Sequence, residues 1–185
     1  MNVRETKLPG LKLIEPAVFG DHRGFFTESY NEQRFHEHGI TTKFMQDNHS
    51  LSVEAGVLRG MHYQLNPKAQ TKLVRCTAGA IYDVVVDIRR GSPTFGQWQG
   101  FILSAANHRQ LLVPKGFAHG FCTLVPNCEV QYKVDEFYSA ENDRGIAWDD
   151  PALAIDWPVS KPVLSDKDGK HPVLADADIN FVFEG

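Results

Sequence analysis

Apolar and polar positions alternate over short stretches along most of this chain, and the stretches are cut at close intervals by fifteen glycines and ten prolines. No segment sustains the 3.6-residue spacing of a long amphipathic helix, so the pattern predicts short strands joined by turns. The clearest strand is Ile81 to Ile88: Tyr82, Val84, Val86 and Ile88 fall on one face and Asp83 and Asp87 on the other, as in a half-buried strand with a core on one side. Similar strands are expected at 11–19, 25–30, 44–52, 57–63, 72–78, 97–103, 110–113, 117–124 and 129–134. One helix is expected before residue 45, where Asn31 can cap, Glu32 to Glu37 follow, and Gly39 offers a left-handed stop. Many short strands without alternating helices indicate a sandwich or barrel, and a jelly roll of two antiparallel sheets is the best match.

Length and composition narrow this picture. A chain of 185 residues with 42% hydrophobic and 23% charged side chains suits one globular domain spanning 1–185. Residues 45–135 would form the barrel. After Tyr138, Pro151, Pro158, Pro162 and Pro172 sit in a polar, loop-like setting expected to pack on it as a tail. A net charge of −4 disfavours a nucleic-acid binder, yet leaves basic residues free to converge on one small anion. No apolar run approaches the roughly 20 residues of a membrane span, and Met1-Asn2-Val3-Arg4-Glu5 lacks a signal-peptide pattern. Cys76, Cys122 and Cys128 are an odd number without Cys-x-x-Cys spacing, expected as reduced core thiols of a cytoplasmic protein.

Two stretches carry candidate chemistry. Gly56 to Gln64, GVLRGMHYQ, sets His62 on an expected strand close to Arg59. The two have opposite parity on a regular strand, and a bulge at Gly60 would return them to one face. The alternative is a hydrogen-bonded core histidine beside a surface arginine. Pro114 to Phe121, PKGFAHGF, brings a second histidine, His119, into another strand. Gly56-x5-His62 and Pro114-x-Gly116-x-x-His119 together resemble the cupin superfamily. Metal-binding cupins need His-x-His and then a Glu to supply enough ligands. Here Gln64 stands at the second histidine and Lys68 and Ala69 near the glutamate, so no metal is expected.

A more specific resemblance follows from six blocks in order: FMQDNHS at 44–50, VLRGMHYQ at 57–64, KLVRC at 72–76, SPTFGQW at 92–98, Pro114 to Phe121, and LSDKD at 164–168. Over roughly residues 1–175 the chain resembles the dTDP-4-dehydrorhamnose 3,5-epimerase family. The resemblance implies a mainly β, cupin-type jelly-roll β-barrel with short peripheral helices. It also implies inversion of carbons 3 and 5 of a 4-keto-6-deoxyglucose carried on dTDP, in dTDP-L-rhamnose biosynthesis, with no cofactor. Both carbons are α to the ketone, so the chemistry asks for a base, a group that stabilises the enolate oxygen, and an acid on the opposite face.

By that resemblance His62 is the base, Asp168 its orienting carboxylate, Tyr132 the acid, and Lys72 the cation near the enolate oxygen and a substrate contact. An imidazole accepts a proton near neutral pH, and a phenol holds one there. Arg23 and Arg59 match diphosphate contacts, Glu28, Gln46, Asp47 and Asn48 nucleotide contacts, and His119 and Lys167 further substrate contacts. Asp143 matches another substrate contact, at a position where the family commonly has the longer Glu. The segment holding Arg23 and Glu28 crosses to a neighbouring subunit in the family, implying a homodimer with shared sites. Without the resemblance, Asp168 reads as a loop carboxylate, Tyr132 as a strand aromatic, Lys72 as a solvated strand-start lysine and Arg23 as part of a surface turn. Competing functions are a mono-epimerase of a related dTDP-sugar, a non-catalytic sugar-nucleotide-binding cupin, and a metal-dependent cupin enzyme.

Overall fold

The computed structural model describes residues 1–184 and places thirteen strands in three antiparallel sheets. Six strands form one sheet in the order β1 (Asn2–Glu5), β2 (Lys12–Glu15), β10 (Gln110–Val113), β7 (Lys72–Ala78), β12 (Cys128–Val134) and β5 (Gln46–Ser52). Five form a second sheet: β13 (Asp143–Gly145), β6 (Leu58–Gln64), β11 (Phe117–Thr123), β8 (Ala80–Asp87) and β9 (Trp98–Ser104). A separate hairpin joins β3 (Val18–Asp21) to β4 (Gly24–Thr27). The fold is the expected mainly β one, as two stacked sheets with open edges instead of a single closed ring.

Several boundaries move for identifiable reasons. The strand expected at 11–19 is two, because Pro16 cannot donate to the ladder and separates β2 from β3. Strands β1, β2 and β13 extend the sheets beyond 45–135, β13 by pairing Asp143, Arg144 and Gly145 with Gln64, Tyr63 and His62. The helix α1 (Glu32–Glu37) stands where expected: Asn31 Oδ1 accepts from Arg34 N at 3.2 Å, and Gly39 follows with φ of +73°. Its Phe35 is buried with Ile14, Ile40, Leu73 and Leu112 on the outer face of the six-stranded sheet. Two single-turn 3-10 segments, Asp168–Lys170 and Leu174–Asp176, are the only other helical pieces among the described residues.

Strand β8 corrects the half-buried reading. Val84, Val86 and Ile88 pack under Leu153, Trp157, Ile179 and Phe181 of the C-terminal segment, while Ile81 and Val85 face the core between the sheets. Asp83 and Asp87 are therefore fully buried. Each is compensated, as a buried carboxylate must be. Asp87 accepts from Arg89 Nε at 2.9 Å, Ser92 Oγ at 2.6 Å and Thr94 Oγ1 at 2.7 Å. Burial raises the Asp87 pKa, and these donors outweigh it to leave the pKa lowered. The Ser92-Pro93-Thr94 block thus closes the end of β8. Cys76, Cys122 and Cys128 are free and buried, and burial pushes the Cys76 and Cys122 thiols up to about 11. No helix among the described residues is long and apolar enough to cross a membrane.

Between β6 and β11 the register slips by one: His119 opposes His62, but Phe121 opposes Arg59. One extra residue on β6 is the bulge expected at Gly60. Gly60 has φ of +133°, and a Cβ there would stand 2.5 Å from Gly120 Cα and 2.9 Å from His119 O. Gly60→Ala is expected to cost roughly 3 kcal/mol or more, from backbone strain and overlap together. Urea unfolding of the two proteins measures it; a loss below about 1 kcal/mol would mean that the bulge tolerates a side chain.

Candidate active site

The bulge sends Arg59 and His62 to the same side, into a cavity of about 400 Å³ between the sheets. Its wall includes Ser50 of β5, Lys72 of β7, His119 of β11, Tyr132 of β12, and Lys167 and Asp168 of the C-terminal segment. Asp168 arrives from 106 residues away because Val57 and Val163 form a parallel bridge, with Leu58 N donating to Val163 O at 3.0 Å and Val163 N to Gly56 O at 2.9 Å. Beyond that anchor Ser165 Oγ accepts from Asp168 N at 3.1 Å and fixes the turn.

His62 Nε2 lies 2.5 Å from Asp168 Oδ1, with the carboxylate buried and the imidazole one-third exposed. An ionised carboxylate only accepts, so it selects the tautomer with the proton on Nε2 and leaves Nδ1 able to take one up. Burial raises the Asp168 pKa, but the hydrogen bond and charge of His62, with Ser165 and His171, hold it below the ordinary value. His171 adds a third ligand-capable atom, all three within 4.8 Å of one another. An ion bound about 2.0 to 2.2 Å from both His62 and Asp168 in a tetrahedral site would hold their donor atoms more than about 3 Å apart. The observed spacing is that of a hydrogen bond. At the position where metal cupins have their second histidine, Gln64 donates to Lys68 O at 2.6 Å and accepts from Ser139 N at 2.8 Å, which occupies its amide structurally.

Opposite strands supply the other groups. Burial raises the Tyr132 pKa, Arg59 opposes this and Asp143 adds to it, so the phenol keeps its proton at neutral pH. Burial pushes Lys72 down to about 8 against the pull of Asp143 and Asp83, and it is still mostly an ammonium at pH 7. Arg59 donates to Ser52 Oγ at 3.2 Å and Leu51 O at 3.1 Å, which steadies its guanidinium against β5. Lys167 is paired with Asp143, which also accepts from Tyr138 Oη at 3.2 Å. That pair raises the Lys167 pKa. His119 Nε2 sits 2.9 Å from an oxygen of Asp83, a buried imidazole–carboxylate pair one strand away from His62.

Not every expected residue joins this cavity. Tyr132 opposes Asn48 in register, so Asn48, Gln46 and Ser50 share its face, and Gln46 Nε2 donates to Asn48 Oδ1 at 2.9 Å. Asp47 has the other parity, faces outward and binds Lys133 Nζ at 2.9 Å. Arg23 lies on the separate hairpin, paired with Asp21 at 2.5 Å, and Glu28 is held by Arg34 at 2.9 Å. Within one chain neither reaches His62. Tyr138, Asp83 and His171 were missed. Asp83 could have been found by asking what balances an aspartate between buried valines, whereas Tyr138 and His171 carry no local signal.

An imidazole held by a carboxylate, facing a protonated phenol and an ammonium across a sugar-sized cavity, defines a proton-transferring carbohydrate enzyme on a cupin-type scaffold. The family model for dTDP-4-dehydrorhamnose 3,5-epimerase matches residues 5–176. A relative of that name from Shigella flexneri is 55% identical over 179 residues, 96% of this chain and 98% of its own. The crystal structure of the Bacillus anthracis enzyme of that name, with TDP and pyrophosphate bound, superposes with a TM-score of 0.91 at 63% identity, covering 93% of this chain and 98% of its own. A Legionella pneumophila dTDP-6-deoxy-D-glucose-3,5-epimerase in complex with dTDP-4-keto-L-rhamnose gives 0.95 at 47% identity, covering 100% and 99%. This chain belongs to the dTDP-4-dehydrorhamnose 3,5-epimerase family.

Proposed function

We propose that the chain converts dTDP-4-dehydro-6-deoxy-D-glucose to dTDP-4-dehydro-L-rhamnose, with His62 as base, Tyr132 as acid and Lys72 beside the enolate oxygen. The observation that carries this is the 2.5 Å contact between His62 and Asp168 on the wall that Tyr132 and Lys72 also line. His62 takes the proton from carbon 3 or carbon 5, and Asp168 stabilises the imidazolium. The electron pair moves into the ketone, where the Lys72 ammonium balances the developing charge in a water-poor site. Tyr132 returns a proton from the opposite face, which inverts the carbon. Each cycle conserves oxidation state, so proton transfers suffice for the reaction.

Arg59 and Lys167 are suited to the diphosphate, His119 to the sugar, and Gln46 and Asn48 to the nucleoside. Arg23 and Glu28, with Asp47 at the outer edge, would serve a site completed by a second copy. The exposed side chains Phe19 and Phe26, opposite each other on the hairpin that carries Arg23, form an apolar patch that supports such a homodimer.

The test is turnover of the 4-keto-6-deoxy sugar nucleotide in deuterated water, followed by NMR. Deuterium is expected at both carbon 3 and carbon 5 of the product. Label at one carbon alone would reduce the assignment to a mono-epimerase, and label at neither would remove it.

A further inference from the structure

We propose that His171 is a positioning residue for the proton transfer, a second imidazole that donates its Nε2–H to the Asp168 oxygen that also holds His62. Its Nε2 stands 3.5 Å from Asp168 Oδ1, and its ring meets that of His62 edge to face at a centroid distance of 5.5 Å. The side chain is 9% exposed, and Nε2 is buried without a hydrogen-bond partner. A buried ring nitrogen left unpaired is costly, and the Asp168 carboxylate beside it is an acceptor that a slight closure would engage.

The surrounding backbone is shaped for this ring. Gly145 opposes His62 in the β13–β6 ladder, and a Cβ on Gly145 would collide with the His171 imidazole. Ala147 N donates to Pro172 O at 2.8 Å, which ties the backbone next to His171 to the end of β13. The glycine therefore makes room beside the base, and His171 fills it with a nitrogen aimed at the carboxylate. Burial lowers the His171 pKa, with His62 and Lys167 adding to this and Asp168 opposing, so the ring is neutral at pH 7 and has one N–H to give.

The consequence concerns basicity. A carboxylate that accepts from two imidazoles is less free to stabilise the proton on either one. His171 therefore keeps Asp168 ionised and aligned while moderating its pull on His62. The other charged or titratable groups facing the pair are Arg59, Lys72, His119, Tyr132 and Lys167 around the cavity, with Tyr63, Tyr138 and Asp143 on the adjoining wall. None of them touches the same carboxylate oxygen among the described hydrogen bonds.

This inference rests on His62 being the base, and its test separates the two claims. In 15N-labelled protein the His62 ring is titrated by NMR, and the acid limb of kcat/KM is measured in parallel. His171→Phe keeps the ring and removes the donor. It is expected to raise the midpoint of the His62 titration by about half a pH unit, because the carboxylate then serves His62 alone. The acid limb should rise with it. His171→Gln, which keeps an N–H, should stay close to wild type. Should phenylalanine not be accommodated, His171→Leu also lacks a donor and gives the same reading. An unmoved midpoint in the donor-free variants, or equal shifts in these and in His171→Gln, would overturn the role of His171. A midpoint that moves while the acid limb stays would leave the positioning intact and remove His62 as the base.

Discussion

Glutamine in place of His62 is expected to lower turnover about a thousandfold, within the range that a positioned general base contributes. The choice of glutamine matters. Its amide nitrogen reaches about as far as the ring Nε2 that lies 2.5 Å from Asp168 Oδ1, so the buried carboxylate is not left unpaired. What is lost is the ring nitrogen that takes the proton. Deuterium exchange at both sugar carbons should fall together, because the proposed mechanism has a single base on one wall of the cavity serving both. Affinity for dTDP should hold, since the groups suited to the diphosphate, Arg59 and Lys167, lie elsewhere on that wall. Steady-state kinetics, calorimetry with dTDP and NMR exchange read the three quantities. Exchange within tenfold of wild type at either carbon would point to another base, and the His119–Asp83 pair, 2.9 Å apart on the adjacent strands, would be the first to examine.

How much of this site could be read from the chain depended on whether the information was local. Periodicity placed the strands that carry Lys72, His119 and Tyr132, and parity showed that only an irregularity such as a bulge at Gly60 could bring Arg59 and His62 to one side, while leaving open that they do not share one. Periodicity misread β8, because alternation shows that two faces differ without showing that either is wet; Asp83 and Asp87 are both buried. The short edge strand β13 was invisible, since three residues that pair with β6 carry no pattern of their own. Asp168 lies outside any periodic element and reaches His62 only through the bridge of Val57 to Val163, so family resemblance was needed to find it. His171 had neither periodicity nor a family role to mark it. Its place became visible only once Gly145 and His62 were seen opposite each other.

Tyr132→Phe is expected to separate two steps that His62→Gln lowers together. The phenol is buried, and burial with the nearby Asp143 raises its pKa against the effect of Arg59, so at neutral pH it is a proton donor and not a base. Phenylalanine keeps the ring volume between β5 and β7, where Tyr132 opposes Asn48 and Val74, and removes only the O–H. Abstraction by His62 does not need that hydroxyl. In deuterated water the variant should still form the enolate, and His62 should return deuterium to the face from which the proton came. Substrate would then become labelled with its configuration retained, while inverted product falls by about a hundredfold or more. NMR of recovered substrate and product gives both rates from one sample. An equal loss of exchange and inversion would contradict this division. It would place Tyr132 in the abstraction step as well, through contact with the enolate oxygen, and leave delivery to the opposite face to another donor.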